Sequence, residues 1–384
     1  MKIALVRKDY TDKKGGAEGY IVALSRQLAD MGHEIHIFAA AVDVPEHRGI
    51  YNNIVPIPNI RTFARHLWFA KNCEKILSTQ KFDIINGMSR IWYQDVYRSG
   101  DPLFIYWLKS HKPNIIDRVL GAINPKQKTM LSIEKRVFNS KMLRKVIAIS
   151  ELDRRLIKQY YNIPEEKIKV IYNGVNMARF NPSVSKFRQQ IRSKFGISEK
   201  SDVALFAGLD FKRKGLASLI ESVSLLEEKN DNLVCLIVGS NNYIKYQTMA
   251  KRLGIMNKII FAGASAKVEE FYGAADFFVM PTLYDPFANV HLEALACGLP
   301  VITTSQAGGA ELIQCGKNGF VIPSHTHVKE LSEKILMLLN PNVRKKMSIA
   351  ATKSVKDYSL ESNARNVVAL YEQVLEEKRS ATSP

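Results

Sequence analysis

An α/β fold with two doubly wound parallel-sheet domains is predicted by three observations. Short apolar runs alternate with helical segments along most of the chain, a pattern that implies parallel strands joined by crossover helices. The alternation pauses at the turn-rich segment 173–182 and then resumes, which suits a linker between two units. A length of 384 residues with 46% hydrophobic content fits two cores of ordinary size better than one large core.

Ile3–Val6 reads as the first strand. Ala17–Met31 carries apolar residues at helical spacing (Ile21, Leu24, Leu28, Met31), Gly32 is a natural stop, and Ile35–Ala39 is the next strand, so the chain opens with a βαβ unit. Phe82–Ile85 and Lys145–Ile149 are later strands, the second leading into a helix from Glu151 to Tyr160 capped by Ser150. Beyond the linker, Val203–Ala207, Leu233–Val238, Lys258–Phe261, Phe277–Met280, Pro300–Thr303 and Gly319–Ile322 read as strands. A helical stretch follows from Val343 to Ala369, with an apolar stripe of Ala364, Val367, Val368, Tyr371 and Leu375. Residues 376–384 are polar and expected to fray. The expected domains are 1–172, joined by a C-terminal helix 358–378, and 173–357. Ligands of such sheets lie beyond the carboxyl ends of the strands, so the facing edges of two of them would make a cleft.

The most informative pair is Asp285 and Glu293, eight positions apart where the strand Phe277–Met280, ended by Pro281, gives way to a helix from Asn289 to Cys297. A helix N-terminus presents N–H groups and a partial positive charge, which suit a diphosphate. A carboxylate one turn inside can accept both hydroxyls of a ribose. Acidic residues at a helix start are also ordinary caps, and spacing alone leaves both readings open. Leu209-Asp-Phe-Lys-Arg-Lys-Gly215 follows the strand Val203–Ala207. Fixed cations at a strand's carboxyl end can stabilise the charge of a departing nucleoside diphosphate without a metal; a solvated basic turn is the plainer alternative. Gly15-Gly16 stands between the first strand and its helix, where the missing Cβ would let backbone approach a ligand, or simply loosen a turn.

Asp285-Pro-Phe-Ala-Asn-Val-His-Leu-Glu-Ala-Leu-Ala-Cys-Gly298, with Gly308-Gly-Ala-Glu-Leu-Ile313 and Gly316-Lys-Asn-Gly-Phe320, resembles the acidic-x7-Glu donor motif of the retaining glycosyltransferases of family 4. Within that family, Leu209–Gly215 and Val238–Gly263 look most like the lipopolysaccharide core α-glucosyltransferases. The resemblance implies the GT-B architecture, two Rossmann-like domains facing across a cleft. By position, Glu293 would hold the donor ribose and Asp285 the sugar hydroxyls, while Phe287 and the N–H groups of Ala288, Asn289 and Val290 would line the diphosphate or sugar. Gly15 and Gly16 would meet the donor from the other domain, and Arg213 and Lys214 would be the catalytic phosphate cations. The segment Ser89–Asp101 resembles an N-terminal loop that brings a polar side chain to the reacting carbon. Asp95 is the candidate there, with stabilisation of its own turn as the alternative. The sequence departs from the family at Asp285, where Glu is more frequent, and at Ala288, where Gly is frequent, which bears on the sugar that fits.

The activity so implied is retaining transfer of a hexose, glucose being expected, from a nucleotide diphosphate sugar such as a UDP-sugar to a lipopolysaccharide core or other lipid-linked or phosphorylated glycan, with no cofactor and no metal. A sugar-nucleotide epimerase or hydrolase on the same frame, and a basic nucleic-acid-binding protein, are the alternatives. No segment approaches 18 uninterrupted apolar residues, so no transmembrane helix is expected. The apolar start Met1–Val6 meets Arg7 and Lys8 too soon for a secretory signal, and a cytoplasmic location follows. Cys73, Cys235, Cys297 and Cys315 lack paired spacing and are expected to be buried thiols. Of the formal net charge of +18, +12 lies in residues 1–175. Lys109–Lys145 holds ten basic residues against Asp117 and Glu134, among apolar side chains. Such a stretch suits an anionic membrane surface, here the inner face of the cytoplasmic membrane. Zinc-finger spacing, RNP-like aromatics and a zipper are all missing from the sequence, so nucleic acid is not the expected partner.

Overall fold

The computed structural model describes residues 1–13, 16–59, 62–111, 124–227, 232–239 and 242–382. The chain divides into two compact units: Met1–Asn173 with Leu360–Pro384, and Gly174–Ser359.

The first unit is built on a seven-stranded parallel sheet. Its strands are β1 (Lys2–Val6), β3 (Glu34–Ala39), β5 (Ile50–Ile54), β6 (Ile84–Gly87), β7 (Val96–Ser99), β8 (Lys145–Ala148) and β9 (Ile168–Val170), in the order β5-β3-β1-β6-β7-β8-β9. Two short strands, β2 (Asp9–Thr11) and β4 (Ala41–Asp43), pair separately. Helices α1 (Gly16–Asp30), α2 (Thr62–Leu77), α3 (Phe104–His111), α4 (Pro125–Phe138) and α5 (Glu151–Tyr161) connect them. Because side chains alternate along a strand, β1 feeds two cores. Ile3 and Leu5 pack with Ile21, Leu24 and Leu28 of α1 and with Val367 and Tyr371, whereas Ala4 and Val6 pack with Phe69, Ala70 and Cys73 of α2.

The second unit carries a six-stranded parallel sheet of order β12-β11-β10-β13-β14-β15. In chain order its elements are α6 (Arg188–Lys194), β10 (Asp202–Gly208), α7 (Leu216–Ser224), β11 (Leu233–Gly239), α8 (Ile244–Arg252), β12 (Ile259–Gly263) and α9 (Val268–Ala274). They continue with β13 (Phe277–Met280), α10 (Asn289–Ala296), β14 (Val301–Thr304), β15 (Gly319–Ile322), α11 (Val328–Leu338) and α12 (Pro341–Ser354). The last helix, α13 (Leu360–Thr382), returns to the first unit.

Three expectations are corrected. The helical stretch Val343–Ala369 is two helices, broken at 355–359, where Tyr358 N–H bonds back to the Val355 carbonyl and Val175 bridges to Ser359. The apolar stripe Ala364–Leu375 lies wholly on the second of these helices, and the first buries Met347 and Ala351 in the other unit. Residues 376–382 do not fray: α13 runs to Thr382, and Lys378 Nζ donates to the Asp83 carbonyl (2.7 Å) and to Asp95 (3.1 Å). Finally, Cys315 is exposed while Cys73, Cys235 and Cys297 are buried. No helix among the described residues is long and apolar enough to cross a membrane.

Candidate active site

The turn between β10 and α7 is fixed by glycines. Gly215 has φ +80°, and a Cβ there would stand 1.8 Å from the Pro281 carbonyl oxygen, a distance no side chain tolerates. That close approach joins the turn to the end of β13. The Arg213 carbonyl accepts from Leu283 N–H and from Thr282 Oγ1, both at 2.8 Å. Gly208, at the end of β10, makes room for Lys214, whose Cδ would be 2.2 Å from a Cβ there.

The side chains so delivered converge on Asp285. Arg213 Nη1 donates to Asp285 Oδ2 at 2.6 Å and to the Tyr284 carbonyl at 3.1 Å, and Lys214 Nζ lies 3.5 Å from the same Oδ2. Asp285 is itself locked, its N–H bonding to the Gln306 carbonyl and its carbonyl accepting from Gly308 N–H. Burial alone would raise the Asp285 pKa, but Lys214 and Arg213 hold it below the usual carboxylate range. Burial lowers the Lys214 pKa, with Asp285 opposing and Arg213 reinforcing. Two cations thus share the Asp285 carboxylate, with Asp210 also 3.4 Å from Arg213 Nε, so fixed cationic donors stand at the carboxyl edge of the sheet.

Helix α10 begins beside them. Its N-cap, Ala288, supplies no side-chain cap to the first turn, so that end keeps its capacity for an anion. Glu293, in the second turn, accepts from Tyr272 OH at 2.8 Å, and burial raises its pKa against that hydrogen bond. His291 is fully buried, neither ring nitrogen has a partner among the described residues, and burial drops its pKa to about 3, so the ring is neutral. It packs where a Cβ on Gly309 would come within 2.1 Å of Nδ1. Arg213, Lys214, Asp285 and Glu293 therefore form one cluster, with Phe287, Ala288, Asn289 and Val290 in the turn and helix start between the two carboxylates. Tyr272 was not anticipated as a site residue, since an aromatic in a buried helix is indistinguishable from packing in sequence.

In the first unit, Gly16 opens α1; the expectation for Gly15 lies outside the described residues. The Asp95 candidate is corrected. Asp95 directly precedes β7, at the amino edge of the sheet, away from the edge where ligands of such folds bind. Its carboxylate accepts from Ile85 N–H (2.9 Å) and from Lys378 (3.1 Å) and is almost wholly buried. It therefore pins α13 to the sheet. Asp95→Ala is expected to lower stability by about 3 kcal/mol, read by thermal melting, because Lys378 loses its partner and Ile85 N–H its acceptor.

The carboxyl edge of the same sheet holds an acidic cluster outside the expected site residues. Arg7, just beyond β1, donates to Glu18 (2.8 Å), to both oxygens of Asp101 (3.0 and 3.1 Å) and to the Met88 carbonyl (2.6 Å). Burial would raise the Asp101 pKa, but Arg7, Arg90 and Arg98 pull it below the ordinary value. Its usable signal was Asp101 itself, the first acid after β7.

A basic turn, a shared carboxylate and a helix start on one parallel sheet, with a second such sheet in the chain, define a glycosyltransferase of the GT-B class. Residues 14–179 match Glycosyltransferase Family 4, and residues 187–354 match Glycosyl transferases group 1. The chain belongs to glycosyltransferase family 4. It is 29% identical over 334 residues to the glycosyltransferase MJ1607 of Methanocaldococcus jannaschii, covering 83% of this chain and 84% of that one. It is 23% identical over 321 residues to the lipopolysaccharide glucosyltransferase WaaG of Escherichia coli, with coverage of 83% and 84%. The crystal structure of WaaG has the same fold, with a TM-score of 0.82 at 22% identity over 96% of this chain and 99% of that one. So has Anabaena HepE in complex with UDP and glucose, with a TM-score of 0.74 at 20% identity over 97% and 99%.

Proposed function

We propose that the protein transfers glucose from UDP-glucose, with retention at the anomeric carbon, to a lipopolysaccharide core or another lipid-linked, phosphorylated glycan. The observation that carries this reading is the sharing of Asp285 by Arg213 and Lys214 at the start of α10, with Glu293 one turn further on. In the mechanism we favour, the acceptor oxygen attacks the anomeric carbon on the face the diphosphate is leaving. The bond from that carbon to the diphosphate oxygen breaks, and the leaving phosphate takes the acceptor proton. Arg213 and Lys214 stabilise the charge that develops on the diphosphate, Glu293 takes the ribose diol and Asp285 the sugar hydroxyls. The chemistry as drawn uses no metal. Asp101, whose pKa Arg7 helps lower, and Glu18, hydrogen-bonded to the same guanidinium, are acceptors suited to glycan hydroxyls in the first unit. The choice of UDP and glucose is supported by the ligands of HepE and by the WaaG likeness.

The same reading places the enzyme on the inner face of the cytoplasmic membrane. Residues 112–123 of the basic stretch 109–145 lie outside those described, but its neighbours carry the required chemistry. Exposed Leu67 and Trp68 stand with Arg65 and Lys71 on α2, and Lys126, Lys128, Lys135 and Arg136 are exposed on the adjoining α4. Apolar anchors among cations suit anionic headgroups. Sedimentation with vesicles at low salt should show preference for anionic over zwitterionic lipid, lost at high salt; equal binding to both would overturn the membrane assignment.

A thermal-shift screen of UDP, GDP and ADP with their glucose conjugates tests the donor. At about 100 times Kd, UDP should stabilise by roughly 2.7 kcal/mol, a rise of about 5–10 °C in Tm. Glu293→Ala should abolish that rise. No shift with any nucleotide would overturn the donor assignment, and transfer to lipopolysaccharide core followed by NMR of the product anomer reads acceptor and stereochemistry together.

A further inference from the structure

We propose that Tyr272 is a positioning residue of the donor site, its hydroxyl fixing the Glu293 carboxylate in the orientation that receives the ribose. The inference rests on the reading of Glu293 given above. Tyr272 sits on α9 and is 1% exposed. Its OH is 2.8 Å from Glu293 Oε2 and 3.4 Å from the Val290 carbonyl, so its single proton belongs to the carboxylate. The ring is held edge-on by Phe180 at 5.8 Å and lies 6.0 Å from Phe278. The helix beneath it cannot slide, because a Cβ on Gly273 would stand 1.9 Å from the Val184 carbonyl oxygen. A rigid phenol therefore presents one donor to one carboxylate oxygen.

The Glu293 side chain has three rotatable bonds, and two cations, Arg179 and Lys214, act on it. The groups that face it are Tyr272 and Glu269 on α9, Arg179 from the segment after β9, Lys214 from the turn after β10, and Cys297 at the end of its own helix. Arg179 is already engaged by Glu269 at 2.6 Å. Without the phenol, no hydrogen-bond donor of fixed geometry among the described residues holds Oε2, and the carboxylate can turn toward Lys214 and away from a diol. The ionised form is the one that accepts two ribose hydroxyls. Burial raises the Glu293 pKa, while the Tyr272 hydrogen bond, Arg179 and Lys214 oppose it and Glu269 adds to it. Removing the phenol proton raises that pKa further, so less carboxylate is ionised at a given pH and binding is lost at higher pH on acidification.

The test is UDP binding by calorimetry from pH 5 to 8 on full-length wild type, Tyr272→Phe, Phe180→Leu and Glu293→Gln, each checked for fold by circular dichroism. Y272F is expected to raise Kd for UDP about 5- to 30-fold, to move the acid limb of binding to higher pH, and to raise KM for the donor with kcat at saturation changed little. F180L keeps the hydroxyl and loosens the packing, so it should lower Tm and leave the acid limb in place. Wild-type affinity and acid limb in Y272F, with UDP binding lost in E293Q, would overturn the role of Tyr272 while leaving the donor reading intact. Wild-type affinity in E293Q would overturn both. An acid limb displaced equally by F180L would assign the effect to packing and overturn the proposal.

Discussion

Replacing Lys214 by alanine is expected to lower kcat about 100- to 1,000-fold, the usual cost of removing one preorganised group that meets charge as it develops. The ammonium is held by construction: its stem crosses Gly208, and Nζ lies 3.5 Å from Asp285 and 3.4 Å from Met280 Sδ. Its burial makes it cost little reorganisation when a diphosphate leaves, and makes its charge worth more than in water. Because Arg213 still pairs with Asp285, the variant should fold, and its melting curve should lie near that of wild type. The loss should fall on kcat more than on KM, since negative charge on the leaving diphosphate grows in the transition state. A pH signature accompanies it. Burial sets the Lys214 pKa below the ordinary lysine value, so wild-type turnover declines as pH rises through that lowered pKa, and the residual activity of K214A lacks this limb. Near-normal turnover in K214A would contradict the assignment.

Arg192→Ala is expected to be the most destabilising single change in the second unit, by about 3–5 kcal/mol, which lowers Tm by roughly 6–20 °C. The guanidinium is wholly buried and donates to Asp276 and to the carbonyls of Ala274, Ser198, Glu199 and Ser201. It therefore closes the loop after α6 onto the amino edge of β10 and β13. Arg188 and Val203 N–H also hold Asp276, so the main losses are the orphaned carbonyls and the cavity. The residues that Arg192 holds lie at the amino edge of the sheet, opposite the Arg213–Asp285 cluster, and circular dichroism below the melting transition should match that of wild type. A Tm within two degrees of wild type, roughly the effect of 1 kcal/mol, would show that water replaces the guanidinium without cost.

What was legible in sequence follows from how each residue earns its place. Phe277–Met280 has no polar atom in its side chains beyond a thioether and could only be a buried strand, and its bounds match β13. The step from Pro281 to a helix at Asn289 was likewise visible in Gly and Pro punctuation. β7 was not, because Val96-Tyr-Arg-Ser99 contains a buried arginine, Arg98, stacked on Tyr20. With β7 unseen, the segment Ser89–Asp101 read as one loop, and Asp95 and Asp101 could not be told apart, although a strand places them at opposite edges of the sheet. Tyr272 and His291 were hidden for another reason: burial of a polar side chain is a fact of tertiary structure, and their neighbours in sequence are the apolar residues of any core helix. The polar end of α13 was misread because charges, not apolar area, hold it.

The pairing of Val175 with Ser359 bears on how the gene can be divided. The entry and exit of Gly174–Ser359 are joined to each other, so the segment is an insertion whose ends already meet, with its own sheet and core. Expressed alone, it should fold as an independent module, and a short linker from Asn173 to Leu360 would span the excised site. Exchange of this cassette between relatives is then a route by which one unit changes while the sheet and core of the other are kept.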